Sequence, residues 1–350
     1  MSTFTVFRSA PLLVPASTSW YLADLGEFRG RQALYTRQSP QRLKTLREHA
    51  LIESSISSNR IEGVVVETKR VRELVLGKPL LRDRDEEEVR GYRDALQRIH
   101  EEVAKLAVNE KTVRELHRLA RGDIWDAGRY KEKNSDIIER EPDGTERIRF
   151  QTVSAKATPA AMKALLRDWN AMLEEQKVHP LIALAAFNLD FLCIHPFRDG
   201  NGRVSRLLLL LQCCHLGYEV GRYISLERLI EQNKDRYYET LEQSSAGWHE
   251  DKHDPWPYIN YVLFILKSAY REFVERVGDV QAPRGSKTEQ VLQAIRKLPS
   301  QFTLAQLEHA CPGVSRDMVR RVLREQSGRL VACQGRGPGA LWMRLTPKKR

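Results

Sequence analysis

The chain passes from HPLIALAAFNLDFLCIH into RLLLLLQCC, two segments apolar enough to be buried, through the turn Cys193–Arg206, CIHPFRDGNGRVSR. Both flanks carry helix-length apolar runs, so the turn joins two core helices. A connection of that kind needs no imidazole, carboxylate or guanidinium groups, and burying them without partners is costly. Their physical chemistry suggests a use. Gly200, Asn201 and Gly202 can turn successive N–H groups inward as an anion nest, at the positive end of a helix beginning near Asn201. Arg203 and Arg206, three apart, can share one helix face and fork onto phosphate oxygens. Asp199 is a hard oxygen ligand suited to Mg²⁺ held jointly with phosphates. His195, at the end of the preceding helix, is placed to take a proton from a hydroxyl. Base, metal ligand, nest and clamps together are the parts for chemistry on a polyphosphate.

The rest of the chain reads as mainly helical. SPQRLKTLREHALIESSISSNRIEG starts with Ser39 as a candidate N-cap and Pro40 in the first turn, with Leu43, Leu46, Ala50 and Leu51 at helical spacing. DRDEEEVRGYRDALQRIHEEVAKLA begins acidic, as the helix dipole favours, and NEKTVRELHRLARGD follows as another helix. IIEREPDGTERIRF breaks the pattern, because Pro142-Asp143-Gly144 between alternating runs signals a hairpin. Helices resume to Val277, and Gly278–Ser286 reads as a linker. Past it the order is three helices and a hairpin, that of a winged helix-turn-helix. The Ser315–Ser327 helix takes the recognition position and Gly335–Gly339 forms the wing tip.

Composition narrows the class. With 350 residues and 41% hydrophobic content the chain can bury a sizeable core. Its five cysteines show neither metal-site nor disulfide spacing, which suits a reduced intracellular protein. The first twenty residues lack a signal-peptide pattern and Val204–Leu216 is too short to cross a bilayer, so the expected setting is soluble and cytoplasmic. Of the net charge of +11, residues 284–350 carry fourteen Lys/Arg against four Asp/Glu, leaving 43 against 42 for the rest. A positive field confined to the C-terminal segment marks a domain boundary and suits a polyanionic partner.

HPFRDGNGRVSR resembles the signature of the Fic family, H-x-F-x-[D/E]-G-N-G-R-x-x-R, at every fixed position. The resemblance implies a protein adenylyltransferase that moves AMP from ATP to a Ser, Thr or Tyr hydroxyl of a protein target, with Mg²⁺. It implies His195 as general base, Phe197 as packing anchor and Asp199 as the metal ligand. Gly200, Asn201 and Gly202 would form the phosphate nest, with Arg203 and Arg206 on the phosphates. The Doc kinase branch carries Lys at the place of Gly202, so the glycine suits AMP transfer. DAGRYKEKNSDIIEREPDGTERIRF resembles the family's flap, which holds target backbone by strand addition. RYYETL resembles the segment whose tyrosines lie near adenine, which names Tyr237 and Tyr238. Ser244 and Ser245 stand where some relatives carry a base-contacting Asn.

SSNRIEG fits the family's inhibitory pattern as Ser58, Glu62 and Gly63. A helix-borne carboxylate can pair with a guanidinium, and the resemblance makes that guanidinium Arg206. By itself the same short string could also occur as an ordinary helix C-cap, with Gly63 ending the helix. In some relatives the same Glu serves removal of AMP.

These readings divide the chain into an N-terminal helical region with the inhibitory helix (1–82), a Fic catalytic core (83–277), a linker (278–285) and a winged helix (286–350). Arg316, Arg320, Arg321 and Arg324, with Arg336 on the wing, form a basic stripe suited to DNA backbone. The competing functional readings are a deAMPylating enzyme and a DNA-binding regulator that senses nucleotide. A homodimer is compatible with all three. WHEDKHD reads as a solvated loop, and His117 as a structural residue on an apolar helix face.

Overall fold

The structure, a computed structural model, describes all residues except 1, 10, 37–39, 78, 141–144, 279–285, 312–313, 336–339 and 346–350. Ser39, the Pro142-Asp143-Gly144 turn, most of the linker and the wing tip therefore lie outside the described residues. The chain forms two units, Met1–Val277 and Gly278–Arg350.

In the first unit the helices are α1 (Thr3–Ser9), α2 (Ala16–Thr36), α3 (Pro40–Ile61), α4 (Thr68–Leu76), α5 (Arg84–Glu102) and α6 (Glu110–Arg121). An antiparallel hairpin, β1 (Ile137–Arg140) and β2 (Glu146–Phe150), precedes α7 (Thr158–Glu175), α8 (Pro180–Ile194), α9 (Asn201–His215), α10 (Leu226–Gln232), α11 (Lys234–Ser245) and α12 (Trp256–Gly278). Local chemistry starts several of them. Asp83 and Asn109 cap α5 and α6 by accepting from the N–H groups of Glu86 and Thr112, and Pro180 opens α8.

Every residue of α8 from Leu181 to Ile194 is buried, which makes it the axis around which α1, α7, α9 and α11 pack. Its polar members have partners. Asn188 donates to Ser205 O at 2.8 Å and accepts from the Tyr258 hydroxyl at 2.6 Å, which ties α8 to α9 and α12. Asp190 accepts from the Thr3 amide and hydroxyl and from Trp248 Nε1, so one buried carboxylate caps α1 and anchors the chain after α11. Burial pushes its pKa up to about 6, against those hydrogen bonds. WHEDKHD is therefore a packed corner and not a solvated loop. Trp248 and His253 are buried, and His253 Nε2 meets the Thr3 hydroxyl at 2.9 Å.

Helices α5 and α6 touch closely at Gly91, where a Cβ would lie 2.1 Å from Leu119 O. That close approach brings Glu88 and Arg121 up against α9.

The second unit contains α13 (Ser286–Lys297), β3 (Gln301–Thr303), α14 (Leu304–His309), α15 (Arg316–Glu325), β4 (Val331–Gln334) and β5 (Leu341–Arg344). Its sheet has the order β3-β5-β4, antiparallel throughout, and its core gathers Val291, Ile295, Phe302, Leu307, Val319, Val322 and Val331. The strand β3 is an addition to the pattern of three helices and a hairpin. It is too short to show alternation, and only its pairing with β5 makes it a strand.

Candidate active site

The turn after α8 is built by backbone that glycine and a few special residues tolerate. His195 adopts φ +53°, ending α8 with its N–H bonded to Phe191 O, and Gly200 adopts φ +81° just before α9. The carboxamide of Asn201 closes the loop, accepting from the Phe197 N–H at 2.9 Å and donating to Phe197 O at 2.8 Å. Its side chain thus shapes the loop, while α9 begins at its backbone. Phe197 is fully buried and stacks on His117 with ring centroids 3.7 Å apart.

His117 does more than fill space. Its Nδ1 accepts from the Gly128 N–H at 2.8 Å, so the proton sits on Nε2, which donates to Asp199 O at 3.0 Å. Burial holds its pKa down at about 4, so the ring stays neutral and keeps this tautomer. Lys131 braces the other side, with its N–H on Pro196 O at 2.9 Å and its ammonium on Thr152 Oγ1 and Ile194 O.

His195 directs Nδ1 to Leu192 O at 3.3 Å, which leaves Nε2 as the acceptor. Burial, with the Lys131 ammonium nearby, holds its pKa at about 4. The imidazole is consequently a neutral acceptor across the physiological range. It lines a cavity of about 470 Å³ together with Glu62, Gly202, Tyr237, Tyr238, Ser245 and the strand β1.

The two motif arginines part company. Arg203 is 1% exposed and points inward, with Nη1 on Glu88 at 2.5 Å and on Asn59 Oδ1 at 3.2 Å. Glu88 also receives Arg121 Nη1 at 2.6 Å, and Arg121 reaches on to Asp199 at 2.7 Å. Arg203 thus belongs to a buried network under the loop, and its contacts are separate from those of Arg206. Arg206 is also buried, but it reaches Glu62, which lines the cavity. Its Nε and Nη2 bind Ser58 Oγ and Ser58 O, each at 2.9 Å, and Nη2 binds Glu62 Oε1 at 2.9 Å. Its Nη1 is buried without an acceptor among the described residues.

Glu62 follows the last residue of α3, where Gly63 at φ +84° ends the helix. Helix C-cap and carboxylate contact are thus one local structure. The carboxylate lies against Gly202, where a Cβ would be 2.2 Å from Glu62 Oε1 and 3.1 Å from Arg206 Nη1. A methyl there should unseat Glu62, whose flexible end moves cheaply. Gly202→Ala is expected to lose about 1–2 kcal/mol of stability, and none in a Glu62→Gly background. Urea unfolding of the four proteins of that cycle measures it, and equal losses in both backgrounds would contradict the contact.

Tyr237 and Tyr238 form one wall, their ring centroids 5.2 Å apart. Arg149 lies over Tyr238 at 5.4 Å and donates to Tyr238 O at 2.6 Å, tying β2 to α11. Of the two serines, Ser244 accepts from the Tyr258 N–H and is structural, whereas Ser245 lines the cavity. In the hairpin Ile138 pairs with Ile148, and these two apolar side chains are 54% and 64% exposed.

Among the described residues no group of three or more His, Cys, Asp or Glu is arranged to hold a metal ion, and none of the helices is long and apolar enough to cross a membrane. Asp199, with more than half its side chain exposed, offers a single carboxylate. That suits a hard cation carried in largely by phosphate oxygens.

The family defined as Fic/DOC matches residues 107–213, which contain α6, the hairpin, α8, the turn and nearly all of α9. Over that stretch the chain is similar to the Fic/DOC family. A protein adenylyltransferase Fic from Nematostella vectensis is 27% identical over 235 residues, covering 63% of this chain and 48% of that protein. One of the same name from Drosophila willistoni is 24% identical over 191 residues, covering 53% and 34%. The chain thus spans half or less of these curated relatives. The crystal structure of a Fic family protein from Desulfovibrio desulfuricans G20 matches with a TM-score of 0.62 at 24% identity, over 98% of this chain and 99% of that one, and so shares its fold.

Proposed function

We propose that the chain is an autoinhibited protein adenylyltransferase that moves AMP from ATP to a hydroxyl side chain of a target protein. The observation that carries the reading is the Glu62–Arg206 contact at 2.9 Å, on the rim of the cavity lined by His195, Gly202 and the tyrosine pair. The adenylyltransferase names of the matched relatives support the same reaction class.

In this reading the neutral Nε2 of His195 takes the target's hydroxyl proton as the oxygen attacks the α-phosphorus, and pyrophosphate leaves. The first turn of α9 at Asn201 and Gly202, with Gly200 before it, receives phosphate oxygens, and the unpartnered Nη1 of Arg206 gives one more donor. Tyr237 and Tyr238 flank the base. Asp199 would hold Mg²⁺, which supplies charge neutralisation on the phosphates when bound. Arg121, bridging Glu88 and Asp199, fixes the orientation of that carboxylate. The exposed Ile138–Ile148 pair and the edge of β1 offer target backbone a strand to join. Glu62, while on Arg206, keeps that guanidinium from the γ-phosphate.

A base with a depressed pKa works in its neutral form, so its activity persists above that pKa and is lost as pH falls through it. In a Glu62→Gly chain, kcat/KM for label transfer from α-labelled ATP is expected to stay level from pH 8 to pH 5 and to fall near pH 4. A half-loss near pH 6.5, the ordinary histidine value, would count against His195 as the base in this environment.

The second unit is read as a winged helix that tethers the enzyme or recruits its target. Its helix–strand–helix–helix–strand–strand order and the basic α15 support this. Two arginines of the stripe are engaged within the unit, Arg316 with Glu308 and Arg321 with Glu325, which leaves Arg320 and Arg324 as the candidate phosphate contacts. Loss of each is expected to lower the salt slope of DNA binding by about one. Salt-independent or absent binding of duplex DNA would leave protein recruitment as the unit's task.

A further inference from the structure

A second cavity of about 400 Å³ adjoins the first and shares two of its lining residues, Ser135 and Arg198. Arg198 is the fourth residue of HPFRDGNGRVSR, at a position the family signature leaves open. Its neighbours Arg121, Arg203 and Arg206 each bind a carboxylate of the chain. Arg198 has no carboxylate within ion-pair distance among the described residues. It is exposed, and its guanidinium carbon lies 5.6 Å from the ring centroid of Trp125. Trp125 is itself 61% exposed, an unusual place for a large aromatic side chain. The shared wall also contains the Ser135 hydroxyl, which is buried without a partner among the described residues. Arg129 and Lys133 add positive charge, and with Arg198 and Lys131 they outnumber the acidic lining residues Asp126 and Glu132.

We infer that Arg198, propped by Trp125, is a specificity-determining residue that receives an acidic side chain of the target next to the modified hydroxyl. This deepens the transferase reading and rests on it. The position fits the task on three counts. Arg198 is three residues from His195 and lines the reaction cavity as well as the second one, so whatever it holds is close to the reacting hydroxyl. Its aromatic prop restricts the guanidinium, which lowers the entropy lost on pairing. Its free fork matches the two oxygens of a carboxylate. The substrate class is therefore a hydroxyl residue flanked by Asp or Glu and presented in extended form along β1.

Binding can be read separately from transfer. Short fluorescein-labelled peptides, identical except for Glu, Gln or Lys beside a single Thr, are titrated with the full chain and followed by fluorescence anisotropy. The Glu peptide is expected to bind roughly fivefold tighter than the Gln peptide. Arg198→Ala should abolish that difference, and Arg198→Glu should reverse it in favour of Lys. Trp125→Ala should reduce it while leaving Arg198 in place. Equal binding of the three peptides, or a Glu preference that survives Arg198→Glu, overturns the inference. A Glu preference that follows Arg198 but comes with no label transfer in any variant counts against the transferase reading and upholds the site.

Discussion

Glu62→Gly is expected to raise AMP transfer about 30- to 150-fold over the wild-type chain. The estimate comes from one charge-assisted hydrogen bond, typically about 2–3 kcal/mol, with each 1.36 kcal/mol a factor of ten in rate. Arg206 is almost wholly buried while about a quarter of the Glu62 side chain is exposed, so the upper part of that range needs a second effect. Geometry supplies one. The carboxylate rests against Gly202 at the start of α9, where a triphosphate would meet it as a like charge. Removing the side chain clears that space and at once frees the one N–H of Arg206 Nη2 that Glu62 had accepted. Because Ser58 still holds Nε and Nη2, the guanidinium stays in place after the change. Initial rates of label transfer from α-labelled ATP measure the effect, and a rate within threefold of wild type would remove the inhibitory role of Glu62.

The second large effect is on stability. Glu88→Ala is expected to cost about 3–5 kcal/mol, because it strands Arg203 and Arg121 in the interior without their shared counter-charge. For a unit of this size that corresponds to a fall in Tm of roughly 10 °C. The damage should also reach the site. Arg203 donates to Asn59 near the end of α3, and Arg121 holds Asp199, so one carboxylate supports both the end of α3 and the placement of Asp199. Calorimetry of the purified chain is the check. A Tm within 2 °C of wild type would show that the network does not hold the loop from beneath.

Legibility differed sharply between these residues. His195 through Arg206 could be read because the turn is contiguous, and its residue types make no sense as a simple connection. Glu62 was marked by the resemblance of SSNRIEG to the family's inhibitory pattern, and the structure places its carboxylate on Arg206. The supporting layer was hidden because its members come from other segments: Glu88, His117, Arg121 and Lys131 are scattered from α5 to the loop before the hairpin. A signal existed for some of them. Glu88 falls on the apolar stripe of α5 with Tyr92, Ala95 and Ile99, and Arg121 follows Val113 and His117 at four-residue steps on α6. A charge on a buried stripe implies a buried partner, and here each is the other's partner. The spacing of Arg203 and Arg206 did not reveal that Arg203 meets Glu88, because helix periodicity places side chains on a face without saying what that face meets. In WHEDKHD the density of charge suggested solvent, whereas Trp248 and His253 are held inside by Asp190 and Thr3, more than fifty residues distant in the chain.

The central claim is that a neutral His195 transfers AMP once Glu62 leaves Arg206. The most direct test incubates wild type, Glu62→Gly and Glu62→Gly/His195→Ala with Mg²⁺ and ATP, and looks by mass spectrometry for added AMP on the chain and on lysate proteins. Label strong in Glu62→Gly, weak in wild type and reduced about 10²- to 10⁴-fold in the double variant is the predicted result. Equal labelling with and without His195, or none in any variant despite intact ATP binding, would contradict it.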